Sequence, residues 1–235
     1  MRRIKSEHTK LVGVALAAAV ATALLVILVA ARSAGPSPDA MLRQALDSLE
    51  RSRGWRFREN IHAWMRGSET VVDVTGSVNL EKGELRSVVV VKPPQGAPRM
   101  YMYYSNKTHF IIIYQGSPLT SKRKSWSVED TVLYKAFQAA AEGAEKELHR
   151  RDDGIVVVSS GRPSATAEEL YASLYAMAYP DVKPPRPDTA EILVHLSENG
   201  EPRGFLVVYY RGGDRLLQAV YIVEDYNKTP SIEKP

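Results

Sequence analysis

The sequence predicts an α+β fold: a curved antiparallel β-sheet with helices on one face, preceded by an N-terminal transmembrane helix. Three observations predict it. Leu11 to Ala31 is an uncharged apolar run of 21 residues behind a basic tail. Beyond it, short segments alternate apolar and polar residues and are joined by turn residues, the pattern of strands with one wet face. Only a few stretches between them carry the 3.6-residue period of an amphipathic helix. Helices so few, on connections so short, exclude a doubly wound parallel sheet.

Taken in order, residues 1–10 hold Arg2, Arg3, Lys5 and Lys10 against Glu7, which is +3 of the chain's net +4. The run that follows, residues 11–31, spans roughly 30 Å as a helix, the thickness of a bilayer core. It is apolar all round, unlike a core helix. Basic residues before it place residues 1–10 in the cytoplasm and the chain beyond a 32–38 linker outside, as a single-pass protein of the cell membrane. The rival reading is a signal peptide cut near Ser33-Ala34-Gly35, although the run exceeds the ~7–15 residues of a signal core. With its basicity concentrated in a tail, the chain offers no nucleic-acid face. The absence of cysteine excludes a disulfide framework, a thiolate metal site, a cysteine nucleophile and a lipid-attachment cysteine.

Met41, Leu42, Ala45, Leu46 and Leu49 recur at helical spacing after Ser37-Pro38, with Gly54 as the expected stop. Period two then takes over. Trp55, Phe57, Glu59, Ile61 and Ala63 alternate with Arg56, Arg58, Asn60 and His62, and Val72, Val74, Gly76, Val78 and Leu80 with their polar neighbours. Strands over 85–92, 99–104 and 109–115 complete a meander. Residues 116–125 read as a polar loop. Ser127 with Asp130, and Thr166 with Glu169, have the spacing of capping boxes before two helical stripes; the first stripe runs from Val132 and can continue to His149. A short strand, 155–159, lies between them. Three strands, 190–197, 205–211 and 216–224, close the chain across the turn signals Glu198-Asn199-Gly200 and Gly212-Gly213. Tyr221 to Asp225 is expected to be the last strand, with prolines beyond it discouraging pairing at that edge.

Several of these features resemble exported bacterial proteins of the LppX/LolA-like superfamily. They are the helix Met41 to Arg53, the aromatic-alternating strand Trp55 to Trp64, a following strand carrying Gly76, a lone Trp126 before the central helices, and the ending Glu224-Asp225-Tyr226-Asn227 with Ile232 and Pro235. The resemblance covers about Pro38 to Pro235. It implies a half-barrel of about eleven strands with helices on its concave face, over residues 39–235. It also implies acyl-chain binding and the movement or presentation of lipids outside the cytoplasmic membrane. One branch of the superfamily instead senses envelope stress by binding a protein partner. Unlike most members, this chain lacks the lipid-attachment cysteine, so an anchored, static role is expected rather than ferrying.

No catalytic constellation is present: no Gly-x-Ser-x-Gly, no His-Glu-x-x-His and no phosphate-binding glycine loop. The five histidines are scattered, so neither a metal nor another cofactor is expected. The chemistry is therefore that of binding. Tyr101 and Tyr103 share one strand face, and His109 to Tyr114 repeats the apolar pattern with Phe110 and Ile112; both segments fit either a strand buried on two sides or a ligand-lining face. With Trp55 and Phe57 these are the expected cavity residues, and Tyr171, Leu174 and Tyr175 of the late helix form a lid over them or pack as ordinary core. Lys122, Arg123 and Lys124 beside Trp126 fit contact with anionic headgroups, or simply a solvated loop. Asn106 and Asn227 begin glycosylation sequons, which otherwise are turn residues. The expected function is non-catalytic binding of a lipid or other apolar ligand, the alternative being a sensor or assembly module for an envelope protein.

Overall fold

Period-two patterning builds the strands of the computed structural model, which describes residues 36–114, 117–122 and 126–232. Leu11–Ala31, Arg123 and Lys124 lie outside the described residues, and no helix among those described is long and apolar enough to cross a membrane. Helix α1 (Pro38–Glu50) is followed by β1 (Gly54–Met65), β2 (Ser68–Asn79), β3 (Glu84–Lys92), β4 (Arg99–Ser105), β5 (His109–Tyr114) and β6 (Ser117–Lys122). A 3-10 turn (Val128–Asp130) leads into α2 (Val132–Glu142). Then come β7 (Glu145–Arg151), β8 (Gly154–Gly161), α3 (Ala165–Ala178), β9 (Thr189–Leu196), β10 (Pro202–Arg211) and β11 (Asp214–Glu224).

All eleven strands join one antiparallel sheet in the order β6-β5-β4-β3-β2-β1-β11-β10-β9-β8-β7. The register is set by parity. Trp55, Phe57, Glu59, Ile61 and Ala63 of β1 are buried, and Arg56 and Arg58 between them are exposed. Leu217, Ala219, Tyr221 and Val223 do the same on β11. A shift of one residue would turn every one of these to solvent. Arg66 and Gly67 both adopt positive φ, 53° and 79°, in the two-residue turn that joins β1 to β2, as the twist of a tight hairpin requires.

The helices cover one face. α2 packs between α1 and α3 and lies against β8, β9 and β10, whereas α3 lies against β1, β2 and β11. Leu133, Phe137 and Ala140 of α2, and Leu170, Tyr171 and Leu174 of α3, are buried there, each large side chain contributing about 1.5–3 kcal/mol. Every core residue falls between Met41 and Val223. The described residues from Pro38 onward therefore form a unit with its own core.

Several expectations are corrected. Residues 117–122 form β6, and 145–151 form β7 rather than a continuation of α2. Helix α1 ends before Gly54, which instead opens β1 at φ 147°, where a Cβ would stand 2.1 Å from the Val78 carbonyl oxygen. Ser164, not Thr166, caps α3, its side chain accepting from the Ala167 N–H at 3.2 Å. Thr166 lies inside the helix and donates to Glu142 at 2.8 Å, while Glu169 takes Lys135. At the first site the Asp130 carboxylate accepts from the Ser127 N–H at 2.9 Å, but this box opens the 3-10 turn, and Thr131 caps α2, its hydroxyl accepting from the Tyr134 N–H at 3.3 Å. The last strand is not an edge: β11 lies in the middle of the sheet, between β1 and β10. The tail crosses back over the start of β1, with Asn227 Oδ1 accepting from the Arg53 N–H at 3.0 Å and the Pro230 carbonyl accepting from Asn79 at 3.2 Å.

Candidate functional site

Because α2 and α3 cover the centre and one half of the sheet, a cavity of about 350 Å³ is left under the other half. Its walls come from six strands and two helices. Phe57 and Glu59 of β1, Val74 and Val78 of β2, and Leu85, Ser87 and Val89 of β3 form the floor, with Tyr103 of β4, Phe110 of β5 and Tyr221 of β11 beside them. Thr131 and Val132 at the start of α2, with Ser173, Ala176 and Met177 of α3, form the roof. Val74, Val78 and Val89 are buried, whereas Asp130 and Ala176 are exposed and mark the mouth. The volume falls in the roughly 300–1,000 Å³ range of small-molecule sites, and such sites are mostly apolar.

An aromatic framework holds the walls in place. Tyr221 stacks between Phe57, 4.9 Å away, and Phe205, 5.1 Å away. The Trp55 indole N–H donates to the Tyr221 hydroxyl at 2.9 Å. Phe57 can lie flat over β2 because its pair partner there is Gly76, whose Cβ, if present, would meet the ring at 2.4 Å. Tyr103 packs on Phe110 at 5.9 Å, and Tyr101 on Tyr114 at 4.8 Å. Burial pushes the Tyr103 hydroxyl above its ordinary pKa, with Tyr101 adding to the effect. Burial does the same to Tyr221, against the opposing hydrogen bond from Trp55.

The floor holds one ionisable group. Glu59 is 4% exposed, and its Oε1 has no hydrogen-bond partner among the described residues. Desolvation raises its pKa from 4.5 to about 8. Among the described residues no cation lines the cavity with it, and the other carboxylate, Asp130, is at the mouth.

Of the residues expected from the sequence, Phe57, Tyr103 and Phe110 line the cavity. Trp55 lies beneath it, fully buried against Tyr221, while Tyr101 and Ile112 are half-buried on the same sheet without lining it. Tyr171, Leu174 and Tyr175 are core residues: Tyr171 packs against Tyr209 at 5.0 Å and Tyr175 at 5.6 Å. The face that α3 turns to the cavity is the adjacent one, Ser173, Ala176 and Met177. Trp126 packs inside the domain. It is buried, and its indole N–H donates to the Gly83 carbonyl at 2.9 Å, tying the β2–β3 turn to the entry of α2. Lys122 ends β6, and Arg123 and Lys124 are outside the described residues. Asn106 Oδ1 accepts from the N–H groups of Thr108 and His109 within its turn, whereas Asn227 Oδ1 ties the tail to Arg53. The missed residues had one legible signal. Glu59 occupies the inward parity of an otherwise apolar set.

The fold and cavity together define an open antiparallel half-barrel whose concave face is partly filled by helices and partly left as an apolar chamber. No known family profile and no curated protein matches the sequence. Among solved structures, LprF from Mycobacterium bovis matches with a TM-score of 0.52 at 9% identity, over 86% of this chain and 98% of that one. The lipoprotein LppX from Mycobacterium tuberculosis matches with a TM-score of 0.48 at 11% identity, over 85% of this chain and all of that one. The likeness to LprF is one of fold, and it fits the half-barrel that the sequence pattern leads one to expect.

Proposed function

We propose that residues 38–235 bind an acyl chain or similar apolar ligand in the chamber between β1–β5 and the helices, without catalysing a reaction on it. The observation that supports this reading is the cavity itself: about 350 Å³, walled by Phe57, Val74, Val89, Phe110 and Met177, with an exposed mouth at Ala176. Apolar surface moved from water into such a site contributes about 25 cal/mol per Å², less the cost of ordering the ligand. A groove meant only to support a protein contact has no need of an unfilled apolar interior. In this reading Leu11–Ala31 anchors the domain at the outer face of the cell membrane, where the ligand is handled in place.

The test uses residues 36–235 purified from an exported preparation. Native mass spectrometry and titration with an uncharged polyene fatty methyl ester probe are applied to the wild type and to Ala176→Trp, which puts an indole at the mouth from an exposed helical position. The wild type is expected to carry or take up ligand, and the folded variant to lose it. Undiminished uptake by the variant would remove the cavity from the mechanism. A wild type that is clean in the spectrometer and takes up no probe would favour the protein-partner reading.

A further inference from the structure

The floor of the chamber contains a group that an all-apolar ligand would leave stranded. Glu59 comes from the centre of β1, opposite Tyr221 on β11 and Val74 on β2. Its side chain is 96% withdrawn from solvent, lines the cavity, and leaves Oε1 without a partner among the described residues. Strand parity forces whatever stands at this position into the interior. A valine or leucine would serve packing as well, and a carboxyl here costs stability unless something pairs with it.

We propose that Glu59 is the polar anchor of the cavity, receiving the uncharged hydroxyl of an otherwise apolar ligand. This rests on the reading of the chamber as a ligand site and names the class of ligand it selects. The hydroxyl is uncharged because, among the described residues, no cationic side chain lines the cavity with Glu59, and Glu59 itself is deeply desolvated. An acid in that setting keeps its proton near neutrality. A protonated carboxyl both donates to and accepts from an alcohol, whereas a fatty-acid carboxylate beside it would add an unpaired negative charge. The ligand's polar end is therefore at the buried floor, and its apolar body extends towards Met177 and Ala176.

The experiment compares two probes of the same skeleton, 4-phenyl-1-butanol and butylbenzene, by displacement of the uncharged polyene fatty methyl ester from residues 36–235. Wild type, E59Q and two apolar variants, E59L and E59M, are titrated at pH 6. The ratio Kd(butylbenzene)/Kd(4-phenyl-1-butanol) cancels the solvent term when compared between proteins. It is expected to be about tenfold higher in the wild type than in E59L or E59M, the size of one satisfied buried hydrogen bond. E59Q, which can still donate and accept, is expected to keep the wild-type ratio within about threefold. Equal ratios in the wild type and either apolar variant, with both probes bound, would overturn the anchor and leave the cavity reading standing. Failure of both probes to bind any folded form would overturn the cavity reading and the anchor with it.

Discussion

Replacing Glu59 by Gln isolates the cost of keeping an ionisable group in the cavity floor. Burial raises the pKa of Glu59 from 4.5 to about 8. Below pH 4.5 the carboxyl is protonated in both the folded and the unfolded chain and adds no pH dependence. Between 4.5 and 8 the unfolded chain releases the proton while the folded chain retains it. The native state then binds more protons, and stability falls as pH rises. At about 1.36 kcal/mol per unit, the roughly 2.5 units up to pH 7 amount to about 3 kcal/mol. The loss reaches about 5 kcal/mol near pH 8 and then levels off, because the folded acid ionises as well. Glutamine has the same shape and never ionises. E59Q is thus expected to match the wild type within about 1 kcal/mol at pH 4 and to exceed it by about 3 kcal/mol at pH 7. Against a total stability of roughly 5–15 kcal/mol this is a large gain, equivalent to about 6–12 °C in Tm for a domain of this size. Urea denaturation of residues 36–235, followed by tryptophan fluorescence from pH 4 to 8.5, measures it. Tyr103, Tyr221 and Asp130, the other titratable groups that line the cavity among the described residues, are common to both proteins and cancel in the difference. A pH-independent difference between the two proteins would refute the reasoning, since it would mean that Glu59 ionises in the folded state as it does in the unfolded one.

Other perturbations test the framework around the site. Gly76→Ala forces a methyl group to within 2.4 Å of the Phe57 ring and 2.7 Å of the Arg86 carbonyl oxygen; it should cost about 1–3 kcal/mol in chemical denaturation and weaken probe uptake by displacing the Phe57 wall. Trp126→Phe keeps the bulk but leaves the Gly83 carbonyl without its indole donor, a loss of about 1–3 kcal/mol that thermal melting would show, with probe binding retained. Tyr209→Phe removes the buried hydrogen bond of 2.8 Å to the Ala167 carbonyl and should cost about 1 kcal/mol by the same assay. An unchanged midpoint in either phenylalanine variant would show that the corresponding hydrogen bond adds nothing net.

The sequence and the structure part company at the margins of the sheet. Strands such as β1 and β11 are legible because one face must be apolar, and their parity predicts which side chains point inward. The two strands that escape this logic, β6 and β7, are the two edges. β7 reads Glu-Lys-Glu-Leu-His-Arg-Arg, in which Leu148 is the only apolar residue, and β6 contains Pro118 and ends on Lys122. Charge and proline protect an exposed edge from pairing with another chain, and the same residues erase the apolar alternation by which a strand is recognised. The helical part of the site was harder to read for a different reason. Helix α3 is apolar over much of its circumference, with Tyr171, Leu174 and Tyr175 all buried. Nothing in its own sequence distinguishes the stripe that meets the packed half of the sheet from the Ser173–Ala176–Met177 stripe that roofs the cavity. That distinction comes from where α2 sits, a long-range property. Glu59 was the reverse case. Its inward parity was plain, and its importance appears only when no partner meets it.

The strand order carries a consequence for how the molecule is made. Strands β1 and β11 lie side by side at the centre, pairing Arg56 with Glu224 across nearly the whole domain. Each half of the sheet is a local meander on its own, β1 to β6 and β7 to β11, and the seam between them is the one strand pairing that joins the two ends of the chain. Chains whose pairings are this distant fold slowly, because the loop must close before the contact can form. During synthesis, the first strand emerges with one side unpaired and waits until the last strand follows it. The cavity spans that seam, with Glu59 of its floor on one strand and Tyr221 of its side wall on the other. No truncated product that lacks the final strand can present a finished chamber, so the cavity is complete only once β11 has joined the sheet.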